Sequence, residues 1–253
     1  MESRGFREFK VVVTIPVYKD TSFLAGAVDK LEKATSSIVT EFQLVIAEDG
    51  SNSSAVVTQL TDKFTNILYF QEDQRLGRGK ALRDTWRKVS ADVYVYLDAD
   101  MATSLEHFDA YRNLLTLQED YDMVTGSRYL PDSIMNRPLV RETASLSYNW
   151  LIRLLLRTKV HDHQCGFKSF SRKLVETLEK EAKSDSWFWD TEVIVIASRL
   201  GFRVKEIPIS WTEKKGQRTP LKRLAKDIWL HGSGLLLLLW RVYVQREIKR
   251  SRS

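Results

Sequence analysis

Val93-Tyr94-Val95-Tyr96-Leu97-Asp98-Ala99-Asp100 is a run of β-branched and aromatic residues that ends abruptly in two carboxylates, one residue apart. The run has the composition of a buried strand, and its acidic end that of the mouth of a site. If strand geometry persists to the end, Asp98 and Asp100 point to the same side, because side chains alternate with period two. Two like charges held together repel, so a positive partner is expected between them. A hard divalent cation with oxygen ligands suits that place. A plainer alternative has one aspartate ending the strand and the other capping a following helix, since Thr103 and Ser104 come next.

Outward from this stretch, strands and helices alternate. Lys10 to Ile15 is a short apolar run stopped by Pro16, and Phe42 to Ala47 is a second strand running into Glu48-Asp49-Gly50-Ser51. Asp20, Thr21 and Ser22 can cap an intervening helix whose Leu24, Val28, Leu31 and Ala34 share a face. A polar-capped helix spans about Ser54 to Phe64, a strand Ile67 to Phe70, and a helix Gly79 to Val89. After the fourth strand come a helix over Leu105 to Leu117, with Phe108, Tyr111, Leu114 and Leu115 on its apolar side, and a strand at Asp122 to Gly126. This alternation predicts a mostly parallel sheet covered by helices, with ligands beyond the carboxyl ends of its strands. Pro16 to Asp20, Glu48 to Ser51 and Asp98 to Asp100 all fall there.

Composition sets the outer bounds. The 253 residues can bury a sizeable core, and 43% hydrophobic with 28% charged residues marks a globular chain. Its one cysteine excludes an internal disulfide framework and fits a reducing compartment. Met1 to Lys10 is charged and lacks the apolar run of a signal peptide. A formal charge of +6 and a pI near 9.3 favour anionic partners. The excess is concentrated at one end: from Lys214 to Ser253 there are eleven Lys or Arg and two acids, Asp227 and Glu247.

Gly77-Arg78-Gly79-Lys80-Ala81-Leu82 satisfies neither phosphate-binding fingerprint, because Leu82 replaces the third small residue of one and Ala81 the hydroxyl residue of the other. It reads as a basic loop before a helix N-terminus suited to an anion, or as the ordinary start of a helix. Arg141 to Arg157 has the length and apolar pattern of a helix. His161-Asp162-His163-Gln164-Cys165 holds zinc-type ligands but lacks a fourth at workable spacing. Trp187-Phe188-Trp189-Asp190-Thr191-Glu192 is an aromatic cluster closing on acids before a helix. Val204 to Ile209 is a further strand. Ile228 to Val244 is apolar, but its uninterrupted core from Leu235 to Trp240 is far short of the ~20 residues that span a bilayer. With Trp229, Trp240, Tyr243 and many basic residues, it reads as an interfacial helix or as a helix packed on the domain.

Taken in order, these motifs resemble those of family 2 glycosyltransferases of the GT-A fold, in particular dolichyl-phosphate glucosyltransferases and dolichyl-phosphate mannose synthases. The resemblance rests on Ile15-Pro16-Val17-Tyr18, Glu48-Asp49-Gly50-Ser51, Gly77 to Ala81, Asp98-Ala99-Asp100, Gly126-Ser127-Arg128-Tyr129, Asp162 to Lys168, Trp187 to Glu192 and Trp211-Thr212-Glu213. It implies an α/β GT-A domain over residues 1–220 and a basic, apolar C-terminal segment over 221–253. It further implies that Pro16, Tyr18, Asp20, Glu48 and Asp49 hold the nucleoside, and that Asp98 and Asp100 bind Mg2+ or Mn2+ on the donor diphosphate. Arg78 or Lys80 would add to that clamp, Arg128 and Arg141 would hold an acceptor phosphate, and Gln164 and Asp190 to Glu192 would lie near the sugar. The implied partners are a nucleotide sugar, a polyprenyl phosphate and a membrane surface, met peripherally at the cytoplasmic face. No nucleic acid is implied, and the oligomeric state is left open.

Several positions depart from the family pattern. Lys19-Asp20 stands where Asn-Glu is common, Glu48 replaces the first acid of an Asp-Asp-Gly-Ser turn, and Ala102 replaces a Gln frequent in mannose synthases. Ala102-Thr103 is nearer the glucosyltransferase pattern, which leans the donor toward UDP-glucose over GDP-mannose. A nucleotidyltransferase would need a phosphate-gripping signature near the first strand, which Ile15 to Asp20 lacks. A non-catalytic basic adaptor would leave the acids at the strand ends without purpose.

Overall fold

The structure, a computed structural model, describes residues 9–19, 21–136, 139–213, 221–245, 247 and 248, with the side chains of 108, 139–141 and 221–228 outside the description. Its centre is a sheet of seven strands in the order β3-β2-β1-β4-β7-β5-β8. The strands are β1 (Val11–Val17), β2 (Phe42–Asp49), β3 (Ile67–Glu72), β4 (Val93–Leu97), β5 (Met123–Ser127), β7 (Phe167–Ser171) and β8 (Val204–Pro208). β6 (Ile134–Asn136) and β9 (Ser210–Thr212) form a separate parallel pair. The helices are α1 (Leu24–Ser36), α2 (Ser54–Lys63), α3 (Arg78–Trp86), α4 (Ala110–Thr116), α5 (Leu139–Leu156), α6 (Arg172–Glu181), α7 (Trp189–Arg199) and α8 (Leu221–Leu239).

Period-two alternation divides the core into two layers. Val11, Val13, Ile15, Leu44, Ile46, Val93, Val95 and Leu97 face one side, where Leu24, Val28 and Leu31 of α1 and Leu114 of α4 cover them. Val12, Val45, Tyr94, Tyr96 and Phe170 face the other, beneath Leu82 and Trp86 of α3, Leu174 of α6 and Val193 of α7. The tyrosines of β4 therefore point toward α7. Trp86 lies at the heart of this second layer, 5.4 Å from Phe170 and 5.9 Å from Trp189 between ring centroids. Its Nε1–H donates to Thr14 Oγ1 at 2.9 Å, so a polar link ties α3 to β1 inside the apolar layer.

The chain order β1, β2, β3 runs outward in one direction, and β4 then lies on the opposite side of β1. This is a topological switch point, and a crevice forms beyond the carboxyl ends of β1 and β4. β7 is the exception to the parallel order. It runs antiparallel to both β4 and β5, with Tyr96 opposite Lys168 and Leu97 opposite Phe167.

Several elements differ from the sequence expectation. β1 continues through Pro16 to Val17, because β4 pairs only with Val11 to Thr14 and leaves no acceptor there for an amide that Pro16 lacks. The residue before α1 is Phe23, without a side-chain cap, and the expected Asp20–Ser22 caps fall too early; Asp20 itself lies outside the described residues. The helix expected from Leu105 begins as a 3-10 turn at His107–Asp109, where Asp109 takes φ 48°, and becomes α-helical only at Ala110. β4 ends at Leu97, and Asp98 to Asp100 form a turn closed by Met101 N–H donating to the Asp98 carbonyl at 3.1 Å. Alternation thus stops short of the two aspartates, and a turn determines how they sit. β6, β7 and α6 have no counterpart in the sequence reading.

Replacing Trp86 by Phe should destabilise the fold by at least about 1–3 kcal/mol, because it strands the buried Thr14 hydroxyl as well as losing ring volume. Urea unfolding of Trp86→Phe against wild type measures this, and an unchanged midpoint would contradict the role given to the link.

Candidate active site

The site is organised around a carboxylate removed from water. Asp190 stands in the first turn of α7, where a helix N-terminus favours an acid, yet it is fully buried. It accepts from Arg78 Nη2, from the Tyr96 hydroxyl and, at 2.9 Å, from Lys168 Nζ. Burial pushes its pKa up to about 6 against the pull of Arg78. The Lys168 ammonium, also fully buried, is brought down to about 8 by the same loss of water. Arg78 shares itself: its Nη1 donates to Asp98 Oδ1 at 2.6 Å, and its guanidinium lies 3.7 Å from the centre of the Trp187 ring. Arg78, Lys168, Asp98 and Asp190 thus form one set of two cations and two anions.

Asp98 is the member that reaches solvent, with 38% of its side chain exposed. Its amide donates to the Gly166 carbonyl at 3.1 Å, and its carboxylate lies against the Gly166 Cα, where a Cβ would collide with it. Asp100 accepts from the Ala102 amide at 3.1 Å. No third carboxylate, His or Cys joins these two aspartates in a metal-holding group among the described residues. Two hard oxygen donors on an open turn still fit Mg2+ or Mn2+, which keep several sites for waters and for phosphate oxygens of a ligand.

At the ends of β1 and β2, the expected nucleoside-binding residues have mixed surroundings. Tyr18 is available: its ring carries the Arg75 guanidinium at 4.0 Å, and its pKa is lowered chiefly by the hydrogen bond from Lys19. Pro16 lies in β1 beside it. Glu48 is buried and occupied, accepting from the Ser51 hydroxyl, the Ser53 amide at 2.9 Å and the Tyr69 hydroxyl at 3.1 Å. Its carboxylate shapes the turn and is not open to a ligand. Asp49 accepts from the amides of Leu76 and Gly77, which fixes the segment leading into Arg78.

The expected acceptor-phosphate clamp differs from expectation. Arg128 is buried, and its Nε and Nη2 donate to Asp162 at 2.7 and 2.8 Å. Burial alone would raise the Asp162 pKa, but the Arg128 charge and hydrogen bonds outweigh it and hold the carboxyl down at about 2. The guanidinium edge matched to phosphate is therefore already filled by a carboxylate. Asp162 Oδ1 also accepts the Gln164 amide at 3.1 Å, so the pair orients Gln164, whose Nε2 lies 3.4 Å from His231 Nε2 on α8. The side chain of Arg141 lies outside the described residues. Lys80 points along α3 to Asp84 at 2.6 Å and not into the Arg78 cluster. The Lys80 amide donates to the Asp185 carbonyl, so the start of α3 is closed by protein and does not wait for an anion. The zinc-like run is also spent internally: His163 bonds Thr158 and Asn149, His161 bonds Glu206, and the buried Cys165 thiol is pushed up to about 12.

Sequence reasoning missed Lys168, Tyr96 and Asp162. Lys168 carried only a conditional signal: a lysine between Phe167 and Phe170 must meet a buried partner if its strand is central, and the run itself does not show that.

This sheet order, with acids gathered at its switch point, is the arrangement of the GT-A fold. The match to Glycosyl transferase family 2 covers residues 12–179, and the chain belongs to that family. It is 36% identical over 245 residues to Glycosyltransferase AglD of Haloferax volcanii, covering 95% of this chain and 39% of that protein. To a dolichyl-phosphate beta-glucosyltransferase of Saccharomyces cerevisiae it is 25% identical over 267 residues, covering 95% of this chain and 79% of the relative. In structure it resembles glucosyl-3-phosphoglycerate synthase of Mycobacterium tuberculosis, solved with Mn2+, UDP and phosphoglyceric acid. The TM-score is 0.68 at 16% identity, over 91% of this chain and 78% of the other, a likeness of fold.

His163 gives a pH prediction. Burial holds its imidazole at a pKa of about 3, against ~6.5 when unfolded. A depressed pKa means that the unfolded state binds the extra proton, so this contribution is complete above pH ~6.5 and is lost on acidification toward 3. The slope from this one group is about 1.4 kcal/mol per pH unit between ~6 and 3.5. Asp190, raised to about 6, acts in the opposite sense below that pH, so the comparison with His163→Asn isolates the histidine. The variant should show a shallower acid loss in denaturant unfolding; parallel curves would contradict it.

Proposed function

We propose that this chain carries the catalytic domain of an inverting, metal-dependent glycosyltransferase. It would move a hexose from a nucleotide sugar, UDP-glucose by preference, to polyprenyl (dolichyl) phosphate. The observation that carries the reading is the Asp98–Arg78–Asp190–Lys168 set at the switch point, with Asp100 on the turn beside it. The fold, the family and the glucosyltransferase names of relatives support it. GDP-mannose is the alternative donor; Ala102 argues against it by removing a side chain frequent in mannose synthases.

In this reading Tyr18, with Arg75 on its ring, receives the nucleoside, and Asp49 fixes the loop that delivers Arg78. Asp98 and Asp100 would hold Mg2+ or Mn2+, which when bound supplies positive charge to the departing nucleotide diphosphate. Arg78 orients Asp98 and adds fixed positive charge on the same side, worth most where water is excluded. A phosphate monoester with second pKa ~6 is mostly dianionic at neutral pH, so the acceptor attacks without a general base. A single in-line displacement inverts the anomeric carbon. Gln164 is held by the Arg128–Asp162 pair to face the sugar, and Arg141 is left as the acceptor-phosphate clamp.

Residues 221–253 supply the membrane side in this reading. α8 and the π-helical turn Trp240–Val244 bury Leu235, Leu238 and Val242 against the domain and leave Trp229, Leu236, Leu237, Trp240 and Tyr243 exposed. α5 adds exposed Trp150 and Leu154 beside them. Between the two lies a mostly apolar groove of about 530 Å³, lined by Leu154, Leu155, Leu236, Leu239, Trp240, Tyr243 and Val244 together with the charged Arg157, which suits a hydrocarbon chain carrying an anionic head. Among the described residues no helix is long and apolar enough to cross a bilayer. An apolar face with tryptophans and flanking basic residues suits peripheral binding to the cytoplasmic leaflet.

Incubation with Mn2+, polyprenyl phosphate and radiolabelled UDP-glucose, GDP-mannose or UDP-N-acetylglucosamine should give organic-extractable label, most with UDP-glucose. Asp100→Ala should reduce it by about 100-fold or more, the scale lost with one fixed charge-stabilising group. No extractable label from any donor would overturn the proposal.

Membrane binding is checked by vesicle flotation with anionic liposomes. Trp229→Ser combined with Leu236→Ser, Leu237→Ser and Trp240→Ser should weaken binding at least about tenfold, since burying even one such side chain is worth ~1.5–3 kcal/mol. Truncation is the wrong test, because Val242 and Ile248 belong to the core. Equal flotation of variant and wild type would remove the membrane from the proposal.

A further inference from the structure

The C-terminal segment reaches the charged cluster through a second, separate ion pair. Arg241, in the turn after α8, is only 4% exposed. Its Nη1 donates to Glu192 Oε1 at 2.6 Å, its Nη2 to the Glu181 carbonyl at 2.7 Å and its Nε to Glu247 Oε2 at 2.9 Å. Glu192 follows Asp190 by two residues in α7 and is itself buried. On its other side Glu192 accepts from the backbone amides of Lys183, at 3.0 Å, and Ser184, at 2.7 Å. One buried carboxylate therefore fastens the C-terminal segment and the 182–188 loop together.

That loop is the seat of Arg78. The Asp185 carbonyl accepts the Lys80 amide at 3.3 Å, and Arg83 Nη1 donates to the carbonyls of Ala182 at 3.0 Å and Ser184 at 3.1 Å. The loop backbone lies so close to the start of α3 that a Cβ at Gly77 would strike the Asp185 carbonyl, and one at Gly79 the Ser184 carbonyl and the Trp189 side chain. Gly77 also takes φ 99°, which L side chains rarely adopt. This accounts for the glycines on either side of Arg78. Trp187, from the same loop, then places its ring centre 3.7 Å from the guanidinium.

We infer that Arg241 is a positioning residue for the diphosphate-binding end of the site. It acts through Glu192 on the 182–188 loop, and through that loop on Arg78, Asp98 and Asp190. A buried ion pair seldom adds stability over a hydrophobic pair of the same size, so its use here is to fix geometry. The inference rests on the nucleotide-sugar reading above, because Arg78 and Asp98 are its diphosphate end.

The test is calorimetric titration of the full chain with UDP or GDP in the presence of Mn2+. Arg241→Gln should weaken nucleotide binding by about tenfold, the scale of a lost outer-shell contact, and Arg241→Lys, which keeps the charge but not the three-way fork, should weaken it less. Leu238→Ala, a core truncation in the same segment, should lower the melting temperature and leave nucleotide affinity unchanged. Wild-type affinity in a folded Arg241→Gln, or a loss in Leu238→Ala equal to that in Arg241→Gln, overturns the inference. If Arg241→Gln does not fold, wild-type affinity in Arg241→Lys overturns it in the same way. A wild-type chain that binds neither nucleotide overturns the glycosyl-transfer reading, and this inference with it.

Discussion

A carboxylate buried without compensation is among the costliest things a protein can contain, and Asp190 is buried completely. Its environment supplies the compensation. A lysine comes from one strand, a tyrosine hydroxyl from the strand beside it and an arginine from α3. Tyr96 and Lys168 stand opposite each other across the β4–β7 ladder, so the register that builds the sheet also aims both donors at α7. Arg78 then carries the compensation outward to Asp98, the first member in contact with water. The interior ion pairs and the acids of the crevice are one electrostatic system.

That connectedness explains what could be read from the sequence and what could not. The β4 run and its acids were legible because a local pattern, apolar alternation and then Asp98 and Asp100, carries the information. The membership of Lys168 was not, because β7 is defined by pairing with two strands distant in the chain. An isolated five-residue run mixing aromatic, basic and hydroxyl residues does not announce a central position. Arg128 shows the converse. Its residue type suited a phosphate, but Asp162, whose carboxylate fills the fork, comes from a loop 34 residues away. Sequence shows which groups are chemically suitable; packing determines which are already taken.

The glycines around Arg78 make the same point at the scale of backbone. As a phosphate loop they fail on composition, and as a plain helix start they need no explanation. Their reason lies in another segment, whose carbonyls occupy the space where side chains would be. Pro16 is a milder case: it was read as a stop, yet the strand passes through it because only one edge of β1 is paired at that point.

The reversed direction of β7 has an architectural effect. A strand parallel to its neighbours would deliver its preceding loop to the far edge of the sheet. Because β7 runs the other way, Asp162 to Gly166 arrives at the same edge as the turns that follow β1, β2 and β4. The crevice is thus lined by chain leaving the sheet on one wall and chain entering it on the other. Each wall can lengthen, shorten or change its side chains while the hydrogen-bond register between β4 and β7 stays as it is. One scaffold of this kind can keep its strand-end carboxylates in place while the two walls change independently.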